Sequence, residues 1–271
     1  MTDAARSIVR VTSVLSLVLG LCVPYASGQT AIPIQQATLL EPDQKTPEVS
    51  TDELRTILAK KTATVFDARP YSEYAVSHIP GAVNVSAKPG TSISLYVSDI
   101  AEVGRVVGGN KLAPIVLYCN GPFCGKSKRL ADELLAAGFT QVRRYQLGVP
   151  VWRALGGVTQ IELEGLQYVR EHDQTAVWID ARDPEESAGS AVPNARSLPF
   201  SGIKPGKDVG EVKKAKDDGR LPMNDHNTRI IVFGRDEAQA LGVAEALVRE
   251  AFHNVAYFAG PLEKLRDSAT R

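Results

Sequence analysis

Apolar and polar positions along this chain follow two periods. Ile115, Val116, Leu117 and Tyr118 make a continuous apolar run of strand length, and further on Ala131 and Leu134 take helical spacing behind Lys126, Lys128 and Arg129. Between them stand Cys119, Gly121, Pro122 and Gly125, so the stretch reads as a buried strand, a tight loop and a helix start. Upstream, Ser50 and Glu53 form a capping box ahead of Leu54, Ile57 and Leu58, which share one helical face. Residues 62–66 are a β-branched and apolar strand ending at Asp67, and residues 71–76 are helical in character. The turn His78-Ile79-Pro80-Gly81-Ala82 then leads into a strand at 83–85. Residues 204–225 are highly charged and are expected to form a solvated loop with one short helix.

The pattern occurs twice. Residues 65–70 (VFDARP) return at 178–184 (WIDARDP), which aligns Asp67 with Asp180 and Arg69 with Arg182 at an offset of 113. Glu73 falls on Glu186, Pro80 on Pro193, Ala82 on Ala195, residues 131–139 on 244–252, Val142 on Val255 and Arg153 on Arg266 at the same offset. Each copy alternates strands and helices, which predicts an α/β fold with a mostly parallel sheet flanked by helices. The expected organisation is a linker over 29–47, a first domain over 48–157 and a second over 158–271, with the boundary near Gly156-Gly157. Residues 115–119 (IVLYC) correspond to 230–234 (IIVFG), so Gly234 stands where Cys119 does, and the following loop is shorter.

Ligands of such sheets bind outside the carboxyl ends of strands, which is where Cys119 falls. A thiol there meets the unpaired N–H groups of a loop and a helix start, whose partial positive charge is expected to favour the nucleophilic thiolate. The plain alternative is a small buried hydrophobe at a strand end.

Composition narrows the class. The chain of 271 residues is 44% hydrophobic and 23% charged, globular values, and its zero net charge gives a nucleic-acid role no support. Charge is unevenly spread. Residues 45–158 hold 14 Lys and Arg against 9 Asp and Glu, whereas 159–271 hold 15 against 19, so the basic half would attract a small anion. Arg6 and Arg10 precede an apolar run at 11–23, followed by Ala26, Ser27 and Gly28, which is the pattern of a cleaved signal peptide over 1–28. Export to the bacterial periplasm or beyond is the expectation, with no membrane segment after cleavage. Cys22 would leave with the peptide, and the mature chain would keep Cys119 and Cys124 in an oxidising compartment. No His, Cys or carboxylate cluster has metal-ligand spacing, so neither a metal nor another cofactor is expected.

The residues VFDARP with Glu73, HIPGAVNV, YCNGPFC and YQLGVPVW (145–152), in this order and partly doubled, resemble the rhodanese family of sulfurtransferases across nearly all of the mature chain. The resemblance implies tandem rhodanese-like domains and a thiosulfate sulfurtransferase-like enzyme. In it Cys119 attacks the outer sulfur of thiosulfate, carries it as a persulfide and passes it to cyanide or a thiol. Asn120, Gly121, Phe123, Cys124, Gly125 and Lys126 would bind the anionic donor, through loop N–H groups and the Lys126 charge. The chain departs from the family in two places. Cys124 replaces the usual arginine, and the cysteine sits in the first copy where the familiar two-domain enzymes carry it in the second.

Cys124 fits a resolving or redox partner of Cys119, with inward packing as the alternative. His78 is expected to fix its turn by hydrogen bonds. Asp67, Arg69 and Glu73 are expected to form a structural network, because Asp180, Arg182 and Glu186 repeat it without a nucleophile. Trp152 and Trp178 are assigned to the core, and Arg129 to solvent. A thiol-disulfide exchanger or sensor using Cys119 and Cys124 is the competing function. Phosphatase chemistry is disfavoured because Gly125 stands where that loop needs arginine, and a purely binding role for copy two is disfavoured by the intact chemistry of copy one.

Overall fold

The computed structural model describes residues 32–86, 99–186 and 192–269. The expected signal peptide with Cys22, residues 29–31, Ala191 and the side chain of Arg266 lie outside them. Apolar runs become strands by pairing their backbone groups on both sides, and the charged stretches between them stay outside. In the first repeat α1 (Thr51–Lys60), β1 (Thr64–Asp67), α2 (Tyr71–Val76), β2 (Val83–Asn84), α3 (Ile100–Val106), β3 (Ile115–Tyr118), α4 (Lys126–Ala136), β4 (Val142–Tyr145) and α5 (Gly148–Ala154) build a sheet of order β2-β1-β3-β4. The second repeat follows with β5 (Thr159–Ile161), α6 (Leu163–His172), β6 (Val177–Asp180), β7 (Arg196–Ser197), α7 (Gly210–Asp217), β8 (Ile230–Phe233), α8 (Glu237–Arg249), β9 (Val255–Phe258) and α9 (Leu262–Ala269). Its sheet has the order β5-β9-β8-β6-β7. The strand pairs of both sheets are parallel.

Register makes the repeat exact at its centre. Asp67 lies opposite Tyr118 in the first sheet and Asp180 opposite Phe233 in the second, so Cys119 and Gly234 each follow the equivalent strand end. Each sheet is covered on both faces. Val65, Val116 and Tyr118 pack toward α1 with Leu54 and Ile57, while Phe66, Ile115 and Leu117 pack toward α4 with Leu130 and Leu134. That alternation is the period of two of a strand buried on both sides.

Several expectations shift. The first strand begins at Thr64 and not Thr62, because Lys61 ends α1 in a left-handed conformation. Trp152 is buried, its Nε1 donating to Val158 O at 2.8 Å, but Trp178 is only half-buried against its cluster. Residues 33–47, read as a tether, are strapped to the first repeat. Glu41 accepts from Lys128 Nζ at 2.9 Å and Arg144 Nη1 at 3.2 Å, and Gln44 Oε1 accepts from Gln146 Nε2 at 3.0 Å. Polarity alone signalled a solvated segment, yet these polar groups find fixed partners.

Residues Pro33–Arg271 form one unit, and the two repeats touch within it. Helix α2 packs on α6 at Gly165, where a Cβ would come within 2.0 Å of Ala75 O. Only glycine allows that approach. Beside it, His78 and Gln160 exchange backbone hydrogen bonds of 3.0 and 2.8 Å as an antiparallel bridge between the repeats.

Candidate active site

Strand β3, fully buried, delivers Cys119 at its carboxyl end, and the loop of residues 119–125 folds back over it. Gly121 N, Gly121 Cα and Cys119 O crowd the start of α5 so closely that a Cβ on Gly148 would lie 2.3 Å from Gly121 N and 2.5 Å from Cys119 O. Gly148 also has a φ of 66°, so glycine is needed there twice over. Val149 N–H donates to Cys119 O at 3.2 Å, which fixes the loop to α5. Cys124 N–H closes the Gly-Pro turn on Gly121 O at 3.0 Å.

The Cys119 side chain lies beneath this loop, with the residue 2% exposed. Its thiol donates to Cys124 O at 3.2 Å, lies 3.4 Å from Ser127 Oγ and makes a side-chain contact with Cys124, whose own thiol is free and half-buried. The expectation of a resting thiolate is overturned. Burial, aided by the neighbouring Cys124 thiol, pushes the Cys119 thiol up to about 11, against the pull of the Ser127 hydroxyl and N–H. Desolvation outweighs the loop dipoles while the sulfur is covered. Ser127, buried at the second helical position, was missed by the sequence reading, although a polar residue inside an apolar helix face was a usable signal.

Helix α4 (N-cap Gly125) starts without a side-chain cap. Asn120 and Lys126 are both held by Glu73: Asn120 Nδ2 donates to Glu73 Oε2, and Lys126 Nζ lies 3.4 Å from Glu73 Oε1. Phe123 stands fully exposed at the outer turn, so any part in binding falls to its backbone. The structure thus gathers Cys119, Asn120, Gly121, Cys124, Gly125 and Lys126 in one loop, and turns the Phe123 side chain out of it. Arg129 is exposed, 4.0 Å from Glu133.

Behind the loop, Arg69 Nε donates to Asp67 at 2.9 and 3.0 Å, and Arg69 Nη1 reaches Asn120 Oδ1 at 3.4 Å. The same Asp-Arg fork recurs at Asp180 and Arg182. His78 is not placed as a base. Its Nδ1–H donates to Tyr74 O at 3.0 Å, its ring stacks on Tyr74, and Nε2 lies 3.5 Å from Glu162 Oε1 of the second repeat. That spacing would suit an ion pair, but burial pushes His78 down to about 4 and raises Glu162, so neutral imidazole is the resting form. A cleft of about 540 Å³ opens beside the loop, between the repeats. Asn120 and Arg69 form part of its wall, and Cys119 is not among the residues that line it. Among the described residues no group of three His, Cys, Asp or Glu side chains converges as metal ligands would.

The architecture is two parallel α/β units, one of which ends its central strand in a cysteine beneath a loop that leads into an uncapped helix. The chain belongs to the rhodanese-like domain family, whose model matches residues 50–155 and 166–267. Over 93 residues it is 30% identical to an HTH-type transcriptional regulator of Mycobacterium tuberculosis, 34% of this chain and 35% of that protein. The chain thus spans about a third of the length of the curated relative it matches. Among solved structures it is similar to a thiosulfate sulfurtransferase of Pseudomonas aeruginosa (20% identity, 82% of this chain and 44% of that one, TM-score 0.34). It is similar too to a 3-mercaptopyruvate sulfurtransferase of Escherichia coli (19%, 79% and 98%, TM-score 0.35). A Bacillus halodurans protein covers 43% of the chain at 25% identity, with 77% of its own length and a TM-score of 0.35.

Proposed function

We propose that the protein is a sulfurtransferase that takes the outer sulfur of thiosulfate, or of a related sulfane donor, onto Cys119 and hands it to a thiol or to cyanide. The observation that carries this reading is Cys119 at the end of β3, beneath a loop that runs into the uncapped start of α4, in a chain of this family. The Cys119 thiolate attacks the outer sulfur, the sulfur–sulfur bond of thiosulfate breaks, and sulfite leaves with the electron pair. Loop N–H groups and Lys126 would hold the departing charge, and Ser127 would steady the thiolate through its hydroxyl and N–H. On the strength of residues 6–28 the proposal puts the mature chain in the periplasm or outside the cell, with no membrane segment after cleavage. No helix among the described residues is long and apolar enough to cross a membrane.

A second reading is favoured by one contact. Cys124 lies against the Cys119 sulfur, as a thiol-disulfide pair would require. Intact-protein mass spectrometry of the reduced mature protein after thiosulfate separates the two. Gain of one sulfur by wild type and Cys124→Ser, and none by Cys119→Ser, supports sulfur transfer. No gain in any variant, with ready loss of two hydrogens by wild type, would replace it with the disulfide reading.

A further inference from the structure

In the resting protein the cation on which the proposed donor cradle relies is held by a carboxylate, with Lys126 Nζ 3.4 Å from Glu73 Oε1. From this geometry we infer that Glu73 is an internal counter-ion of the donor site: it gives Lys126 up when thiosulfate binds, and takes it back to drive sulfite out. This role rests on the sulfurtransferase reading above and adds to it a residue that sets donor affinity and product release.

The second repeat shows what is particular to the first. Glu73 and Glu186 stand 113 residues apart, and so do Lys126 and Gln239. Glu186 accepts from Gln239 Nε2 at 2.8 Å with one oxygen and holds Arg235 with the other, as Glu73 holds Lys126 and Asn120. Asn120 and Arg235 each follow the residue at the strand end directly. In both repeats one carboxylate therefore clasps the loop and the helix start, through one cation and one amide. The two types have changed places. Where Asp236 caps the helix, the cation is Arg235 on the loop and the helix offers a neutral amide. Where the helix is uncapped, the cation stands at its first residue, beside the loop. A clasp that only fixed the loop could use either type.

The pair is placed to exchange partners. The side chains of Glu73 and Lys126 are 36% and 31% exposed, and Glu73 lines the cleft with Asn120. Their 3.4 Å contact is longer than the about 2.7–2.9 Å of a close charged hydrogen bond, so an oxyanion can draw the ammonium away. Asn120 stays held meanwhile by Glu73 and by Arg69 Nη1 at 3.4 Å, and Arg69 is itself anchored by Nε on Asp67 at 2.9 Å. The loop keeps its shape while Lys126 turns. Carboxylate and bound oxyanion then compete for one ammonium, and their repulsion weakens thiosulfate binding and speeds the exit of sulfite.

Glu73→Gln keeps an acceptor for Asn120 and removes the charge. Calorimetric titration of the full-length, reduced mature protein with sulfate is expected to show about tenfold tighter binding by this variant than by wild type. Equal or weaker binding, or none by either protein, overturns the role. In the thiosulfate and cyanide assay the variant is expected to lower the KM for thiosulfate and the inhibition constant of sulfite about tenfold each, without raising kcat. A loop merely loosened would lower kcat and leave KM unchanged or raised, which also overturns it. In a Lys126→Met background Glu73→Gln is expected to change sulfate binding by less than about twofold, and a tenfold gain there overturns the exchange. Failure of wild type to take up sulfur counts against the sulfurtransferase reading alone, because the sulfate titration transfers no sulfur.

Discussion

The two repeats share a frame and differ in the few residues between the central strand and its helix. After β3 come seven residues, 119–125, before α4. After β8 come three, 234–236, before α8. In the short version Asp236 caps α8, accepting from Gln239 N–H at 3.0 Å, and Gln239 with Arg235 occupies Glu186. In the long version Glu73 instead holds Asn120 and Lys126, and the helix start is left uncapped. A helix N-terminus serves one anion at a time. The second repeat has filled it with its own carboxylate, whereas in the first no side chain caps it, which is where the proposed sulfur donor would be held.

Changes that erase this difference should be felt most. Gly148→Ala pushes a Cβ into Gly121 N and Cys119 O, so sulfur uptake should fall by about a hundredfold or more, read as the rate of persulfide formation by mass spectrometry. The converse change should give nothing. Gly234→Cys would meet Gln239 Cβ at 2.9 Å and keep the Asp236 cap, so a Cys119→Ser/Gly234→Cys protein should gain no sulfur under the same assay.

The next effect concerns the joint between the repeats. His78 sits near 4 when folded, below its ordinary 6.5, so protonation favours the unfolded chain. Its contribution is whole above pH 6.5 and is lost as pH falls toward 4, a destabilisation of about 3 kcal/mol. Denaturant melts between those pH values should show a slope that His78→Gln flattens. Asp236→Ala removes the cap of the second repeat and should cost about 1 kcal/mol in the same melts, without slowing sulfur uptake.

The smallest effect is on the thiol. Cys124→Ala removes a neighbour that raises Cys119, so the pH profile of Cys119 alkylation should move to lower pH than in wild type. A profile that stays in place would show burial alone setting the value.

Much of the frame was legible because local and global signals agreed. The strand from Ile115 to Tyr118, the Ser50 cap and the doubled Asp-Arg pair each have a pattern that only one structure satisfies. Contacts between segments far apart in sequence were not legible. The strap through Glu41 and Gln44 looked like any polar linker. Nor does the loop sequence show its own burial, which pushes the Cys119 thiol up against the pull of the Ser127 hydroxyl and N–H.

The most direct test of sulfur chemistry confined to the first repeat follows the outer sulfur of labelled thiosulfate through a single turnover. Peptides are mapped before and after a cyanide chase. Label is expected on the peptide at Cys119, leaving as thiocyanate upon the chase. Thiocyanate formed with Cys119 never labelled, or label settling first on Cys124, would contradict it.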